Sequence, residues 1–285
     1  MKQTAIVTGA NTGLGYETAL ELFRQGMHVF VASRDANKGQ EAVERIRLAA
    51  PDAEGEVEYA LLNLSSLKGV KTFADWANNN LDHLDLLINN AGVMAQPPAL
   101  TDDGYETQFG VNFVAHFALT GRLFPLLEKT PGSRVVSLSS RVHRGAAINF
   151  GNFALEKPYH PGREYAQSKL ANLIFALELD RRLRASGRQL MSLAAHPGVS
   201  QTDLFRHLGQ TPDRMKFMSA ADGAAPTVMA ATSANVQGGQ YFGPDGPGEA
   251  SGKPALASVD TAALDVMTNS KLWHWAEEAT SVHYP

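Results

Sequence analysis

The chain has 285 residues, 44% of them hydrophobic and 19% charged, the balance of an ordinary globular protein. Its 25 basic and 29 acidic side chains leave a net charge of −4, which argues against a nucleic-acid binder that relies on a basic stripe. It has no cysteine, which excludes disulfide scaffolds, thiolate metal sites and cysteine nucleophiles and suits a reducing, cytoplasmic setting.

The chain opens on an apolar strand, Thr4–Thr8, rather than on a signal peptide. Further strand-like runs follow at Met27–Ala32, Val57–Leu62, Leu84–Ile88, Arg134–Leu138, Leu190–Ala194 and Gln240–Phe242. The first six mostly lack strict alternation, as strands covered on both faces do. Between them lie stretches with helical spacing: Gly15–Gln25, Gln40–Ala49, Leu67–Ala77 and a long one over Glu164–Ser186. Alternation of this kind predicts an α/β fold, doubly wound, with one mostly parallel seven-stranded sheet flanked by helices on both faces. Nothing marks a linker or repeat, so residues 1–285 read as one domain. No apolar run approaches the roughly 18 residues that span a membrane, so no membrane is expected as a partner.

The 25 glycines and 14 prolines are too many for helix interiors, and their placement carries information. Directly after the first strand comes Thr8-Gly9-Ala10-Asn11-Thr12-Gly13-Leu14-Gly15, and then a helix. A glycine-rich turn there lets backbone N–H groups approach a pyrophosphate at the positive end of the helix. The spacing is G-x-x-x-G-x-G and matches the general G-x-G-x-x-G fingerprint only loosely.

This loop resembles the cofactor signature TGxxxGxG of classical short-chain dehydrogenases/reductases, and other motifs follow in the family's order. Asn89-Asn90-Ala91-Gly92 resembles NNAG, and Asn112 stands where the family has a catalytic Asn. Ser139-Ser140 closes the fifth strand, Tyr165-Ala166-Gln167-Ser168-Lys169 matches YxxxK, and Pro197-Gly198-Val199 matches the PG motif. The resemblance covers about residues 2–243. It implies a Rossmann fold in which Gly9, Asn11, Thr12, Gly13, Leu14, Asn63, Leu64, Asn90, Ala91, Gly92, Tyr165, Lys169, Pro197, Gly198, Val199 and Thr202 face a nicotinamide dinucleotide. Family members usually have Asp after the third strand to receive the adenine amino group. Here Asn63 stands there, and its amide oxygen can accept the same bond.

The end of the second strand bears on the choice of dinucleotide. An acidic residue there suits the ribose 2′-OH of NAD, whereas small and basic residues suit the 2′-phosphate of NADP. The sequence reads Ala32-Ser33-Arg34-Asp35, with Lys38 beyond. Ser33 can donate a hydroxyl bond, Arg34 can fork onto a phosphate, and both cations are disfavoured at a helix start without an anion nearby. NADP(H) is therefore the expected cofactor. Asp35 is a complication, although an acid at that position also caps a helix.

Tyr165 and Lys169 are four apart and share a helix face. A free phenol has a pKa of about 10, and a nearby ammonium lowers it, which would make Tyr165 a general acid/base. By resemblance, Lys169 also binds the nicotinamide ribose, Ser140 bonds the substrate oxygen and Asn112 helps hold a water in a proton relay. Such a pair alone is common on surfaces, and it is the motif order that singles it out. Ser139 reads as a local packing or bonding residue, Asn112 also fits a buried brace, and Tyr159 has Arg163 where a partner lysine would stand. The nine histidines do not cluster, so no metal is expected, and His143, His160 and His196 fit ordinary polar roles.

Tyr165 follows Ser140 by 25 positions, a long insertion for the family. With the phrases TGANTGLG and SKLANLIFALELDRRL, it resembles the carbonyl reductase, retinol dehydrogenase and protochlorophyllide reductase branch. Two segments are candidate substrate loops, 141–162 and 203–218. The first carries Ile148, Phe150, Phe153 and Tyr159 beside Arg141, Arg144 and Lys157. The second is rich in Met and Phe, which fits an adaptable apolar lid, with a core helix as the alternative. The resemblance implies a small-molecule carbonyl or alcohol substrate, of apolar character, interconverted by hydride transfer. Reduction of an activated C=C bond and a non-catalytic NADP(H)-sensing regulator remain alternatives, though such regulators typically forfeit part of YxxxK. Family members commonly form homodimers or homotetramers through helices like Glu164–Ser186, although an insertion before the tyrosine can block that face. Trp273-His274-Trp275 fits a pocket cover, an interface or a core contact.

Overall fold

The computed structural model describes residues 2–200 and 217–284. Its first strand, β1 (Thr4–Thr8), is buried along its whole length, and its side chains divide between two cores. Ala5 and Val7 join one face with Val29, Val31 and Ile88; Ile6 joins the other with Phe30, Leu87 and Val135. Such division follows from the two-residue period of a strand, and it is why this strand reads as a continuous apolar run.

The chain then alternates: α1 (Gly13–Arg24), β2 (His28–Ser33), α2 (Ala36–Ala49), β3 (Glu56–Leu61), α3 (Leu67–Asn80) and β4 (Leu86–Asn89). After β4 come a short α4 (Thr107–Phe109), a π-helical turn (Gly110–Val114) and α5 (Ala115–Leu127). Next are β5 (Arg134–Leu138), the long α6 (Pro161–Ala185), β6 (Met191–Ala195), α7 (Ala220–Thr232), β7 (Tyr241–Pro244), β8 (Pro254–Leu256) and α8 (Val266–Thr280). Leu14, Leu20, Leu22 and Phe23 of α1 enter the same core as Ala42, Val43 and Ile46 of α2. The opposite core takes Phe73 of α3, Phe117 and Leu123 of α5, and Leu173 and Phe175 of α6.

The sheet order is β3-β2-β1-β4-β5-β6-β7-β8, parallel from β3 through β7. Strand order reverses between β1 and β4, and a crevice opens there at the carboxyl ends of the strands. The expected seven strands are present, and an eighth is added. β8 pairs antiparallel to β7, Phe242 opposite Leu256. Three residues beginning with proline give no apolar run, so the sequence pattern does not reveal it.

No helix among the described residues is long and apolar enough to cross a membrane. The Trp273–Trp275 segment packs on the core. Trp273 meets Phe117, Phe175 and Tyr284, while Trp275 meets Tyr105, Phe109 and Phe153. His274 points outward, near Ser270.

Candidate active site

The glycine-rich loop joins β1 to α1 by close approach of backbones. Gly9 adopts φ +66°, and a Cβ there would lie 2.9 Å from the Cα of Ala91. A Cβ on Gly15 would collide with the Asn90 carboxamide and stand 2.6 Å from the Gly9 carbonyl oxygen. The turn after β4 is pinned to the end of β1. The Thr8 hydroxyl accepts from the Asn90 and Ala91 amides, each at 2.9 Å, and the Asn90 Nδ2 donates to the Thr8 carbonyl at 2.6 Å.

These turns border a cleft of about 370 Å³. It takes in Gly9, Asn11, Thr12, Gly13 and Leu14 from the first loop and Ser33, Arg34 and Lys38 from the β2–α2 corner. Asn63 and Leu64 contribute after β3, and Asn90, Ala91 and Gly92 after β4. Val93, Met94, Gln96, Thr107 and Val111 also line it. Sequence reasoning missed these because the chain from β4 to the π-helical turn has no sustained periodic pattern.

Pro197, Gly198 and Val199 lie outside this lining. They form the turn after β6, where Gly198 adopts φ +63° and the Val199 amide donates to the Ala250 carbonyl at 2.7 Å. Thr202 falls outside the described residues, as does 203–216 of the second candidate substrate loop. Met218, just beyond, donates its amide to the Val199 carbonyl at 2.9 Å.

At the β2–α2 corner the acid and the cation have different tasks. Asp35 caps α2 by accepting from the Lys38 amide at 3.1 Å, and its carboxylate lies 3.9 Å from the Lys38 Nζ. Arg34 is exposed, and its guanidinium has no hydrogen-bond or ion-pair partner among the described residues. Ser33 is buried beside it, its carbonyl held by the Tyr59 hydroxyl at 3.1 Å. The Asn63 Oδ1 accepts from the Ser65 amide at 3.0 Å, which uses one of its two lone pairs.

The other candidate residues meet where β5 ends against α6. Lys169 is buried, and its Nζ donates to the Leu138 carbonyl at 3.1 Å, where the Asn172 Nδ2 also arrives at 2.9 Å. The Lys169 Nζ lies 5.7 Å from the centre of the Tyr165 ring. Ser140 caps the short turn Arg141–His143, its Oγ accepting from the Val142 amide at 3.4 Å, and it acts on the Tyr165 phenol by opposing its upward shift. His143, fully buried, donates through Nδ1 to the Ser140 carbonyl at 2.7 Å and so sits behind the site. Gly92 joins this group to the cleft, since a Cβ there would stand 3.3 Å from both the Lys169 Nζ and the Asn112 Oδ1.

Electrostatically the pair differs from expectation. Burial pushes the Tyr165 phenol up to about 12, against the opposing effect of Ser140, and burial lowers Lys169 to about 8. The expected lowering of the phenol by the ammonium is therefore overturned: desolvation outweighs a cation that is directed at the Leu138 carbonyl.

Asn112 lies in the π-helical turn, fully buried. Its Oδ1 accepts from the Val93 amide at 2.8 Å, and its Nδ2 donates to the Val93 carbonyl at 3.0 Å and faces the Ser168 hydroxyl at 2.9 Å. The carboxamide braces the cleft wall, and the Asn112 carbonyl accepts from the His116 ring at 2.9 Å.

Of the insertion, Phe153 is built into the core, stacked on Phe109 at 4.3 Å. Tyr159 is a brace, its hydroxyl donating to the Gln96 carbonyl at 2.6 Å and accepting from the Gln108 Nε2 at 2.9 Å. His160 caps α6, and His196 bonds Glu249 at 2.9 Å. No group of three or more metal-ligating side chains occurs among the described residues.

A cleft at the β1/β4 switch, bordered by glycine turns and ending at a Ser–Tyr–Lys group, defines a class. The family model described as short chain dehydrogenase matches residues 3–213, and the chain belongs to that family. Within it, the chain falls in the retinol dehydrogenase-like branch. Retinol dehydrogenase 14 of Mus musculus is 38% identical over 260 residues, covering 85% of this chain and 77% of that protein. Polyprenol dehydrogenase of Mus musculus is 42% identical over 254 residues, covering 84% and 75%. Retinol dehydrogenase 13 of Homo sapiens is 43% identical over 213 residues, with 73% of this chain and 62% of the relative covered. Among solved structures, a putative uncharacterized protein from Mycobacterium paratuberculosis superposes with a TM-score of 0.83 at 40% identity, covering 99% and 95%.

Proposed function

We propose that this chain is an NADP(H)-dependent oxidoreductase that interconverts an apolar alcohol and its aldehyde or ketone, with Tyr165 as general acid/base. The observation that carries this reading is the junction at Gly92, where the dinucleotide-shaped cleft meets Lys169 and Asn112. The residues fit the dinucleotide. Gly9 and Gly15 let the first loop pack directly on the Asn90–Ala91 turn at the edge of the cleft, and Arg34 offers an unpaired guanidinium beside Ser33 for a 2′-phosphate. The substrate class is supported by relatives named for retinol and polyprenol.

When bound, the nicotinamide supplies or takes the hydride at the carbonyl carbon. The chain's own residues manage the oxygen and its proton. A phenol raised to about 12 by burial stays protonated at neutral pH, the state needed to give a proton to the oxygen of a carbonyl being reduced. Ser140, close enough to act on that phenol, is placed to hold the same oxygen as charge grows on it. Lys169, at 5.7 Å from the ring, favours the phenolate left behind. In the oxidative direction the alcohol proton returns to Tyr165.

The test is NADPH oxidation against retinaldehyde, other aldehydes, ketones and enones, with Tyr165→Phe as control. The reading expects turnover of a carbonyl that Tyr165→Phe abolishes. Binding of NADPH without turnover of any of them rejects it in favour of a sensing role, and turnover of enones alone favours C=C reduction.

A further inference from the structure

The buried ring of His116 lies one helical turn beyond Asn112, on α5, and is only 2% exposed. Its Nδ1 is 2.9 Å from the Asn112 carbonyl and its Nε2 is 2.9 Å from the Thr8 hydroxyl. A carbonyl oxygen only accepts, so Nδ1 carries the proton and Nε2 is bare. The Thr8 hydroxyl then donates to Nε2, because its own lone pairs take the Asn90 and Ala91 amides at 2.9 Å. Its other possible acceptor, the Ile88 carbonyl, is farther away at 3.3 Å. Each hydrogen in the cluster thus has one direction.

The cluster also joins two parts of the site. Asn90 and Ala91 form the floor of the cleft, held from behind by the buried Thr8, and Asn112 braces its wall. Burial holds the ring neutral, lowering it to about 4; Lys169 is the charged group that acts on it and lowers it further, while the bond to Asn112 opposes this.

Building on the functional reading above, we infer that His116 is the positioning residue that couples the dinucleotide floor to Asn112. Through Nε2 it fixes the Thr8 hydroxyl, which aims the Asn90 and Ala91 amides. Through Nδ1 it fixes the Asn112 carbonyl. Conservative variants separate the two arms. In His116→Asn the Nδ2 replaces Nδ1 and the Thr8 arm is lost; in His116→Gln the Oε1 replaces Nε2 and the Asn112 arm is lost.

NADPH affinity by fluorescence and kcat on the fastest carbonyl of the panel are the readouts. His116→Asn is expected to weaken NADPH binding about 10-fold and keep kcat within about 3-fold, and His116→Gln to do the reverse. Side-chain ¹⁵N spectra of the wild type are expected to show the Nδ1–H tautomer, unchanged from pH 5 to 8. An Nε2–H tautomer, a ring titrating near 6.5, or variants that shift both readouts alike overturn the assignment. Should a variant fail to fold, the wild-type ring signal decides. A wild type that binds no dinucleotide rejects the functional reading, whereas the wrong tautomer in a protein that binds NADPH rejects only the role of His116.

Discussion

The Ser139 hydroxyl donates to the carbonyl of Lys169 at 2.7 Å, so the serine beside Ser140 grips the helix that carries the lysine. Two adjacent serines thus have separable tasks. Ser139→Ala is expected to cost about 1 kcal/mol of stability, the usual worth of such a bond. Ser140→Ala is expected to lose only a long cap bond to the Val142 amide, about 0.5–1 kcal/mol, while losing at least about 100-fold in kcat. Denaturant unfolding and steady-state rates on both variants check this; equal rate losses would sink the division.

Arg34 governs the choice of dinucleotide if its free guanidinium meets the 2′-phosphate. Arg34→Ala should raise KM for NADPH by about 10- to 100-fold, the effect of losing a charge-assisted hydrogen bond, and leave NADH unchanged. Parallel shifts for both dinucleotides would refute the assignment.

Gly15→Ala should cost about 1–3 kcal/mol, because the added methyl overpacks against the Asn90 carboxamide and the Gly9 carbonyl. The same displacement should weaken NADPH binding. Thermal melting and fluorescence titration report the two effects separately.

Lys169 makes stability depend on alkaline pH. Its depression from 10.5 to about 8 means that between these values the unfolded chain binds the extra proton. The cost of burying the charge is therefore full below about pH 8 and fades as pH rises toward 10.5. Lys169→Met removes that cost, up to about 3 kcal/mol at pH 7, offset by the lost bond to the Leu138 carbonyl. Unfolding curves at pH 7 and pH 10 should show its advantage shrinking with pH; a constant difference would contradict the burial argument.

The sheet was legible because strands buried on both faces leave unbroken apolar runs, as in Thr4–Thr8, and because glycine turns mark their carboxyl ends. The cleft was legible for the same reason: backbone approach demands glycine at fixed places. Three things were not. β8 is too short to carry a period, and the cleft wall from Val93 to Val111 is irregular chain followed by a single short helical turn and a π-helical turn. The balance at Tyr165 depends on burial and on where the Lys169 ammonium points, neither of which spacing reveals. His116 shows the same limit, since a lone histidine on an apolar helix face carries no sign that Thr8, 108 residues earlier, is its partner.

The aromatic cluster around Trp273 also orders events in time. Phe117 lies in the middle of the chain, yet its ring packs on Trp273 and Tyr284, and the Tyr284 hydroxyl donates to the Phe117 carbonyl at 2.7 Å. During synthesis the helix behind Asn112 is made long before these partners exist. Until residues 273–284 are made, that apolar surface lacks these partners.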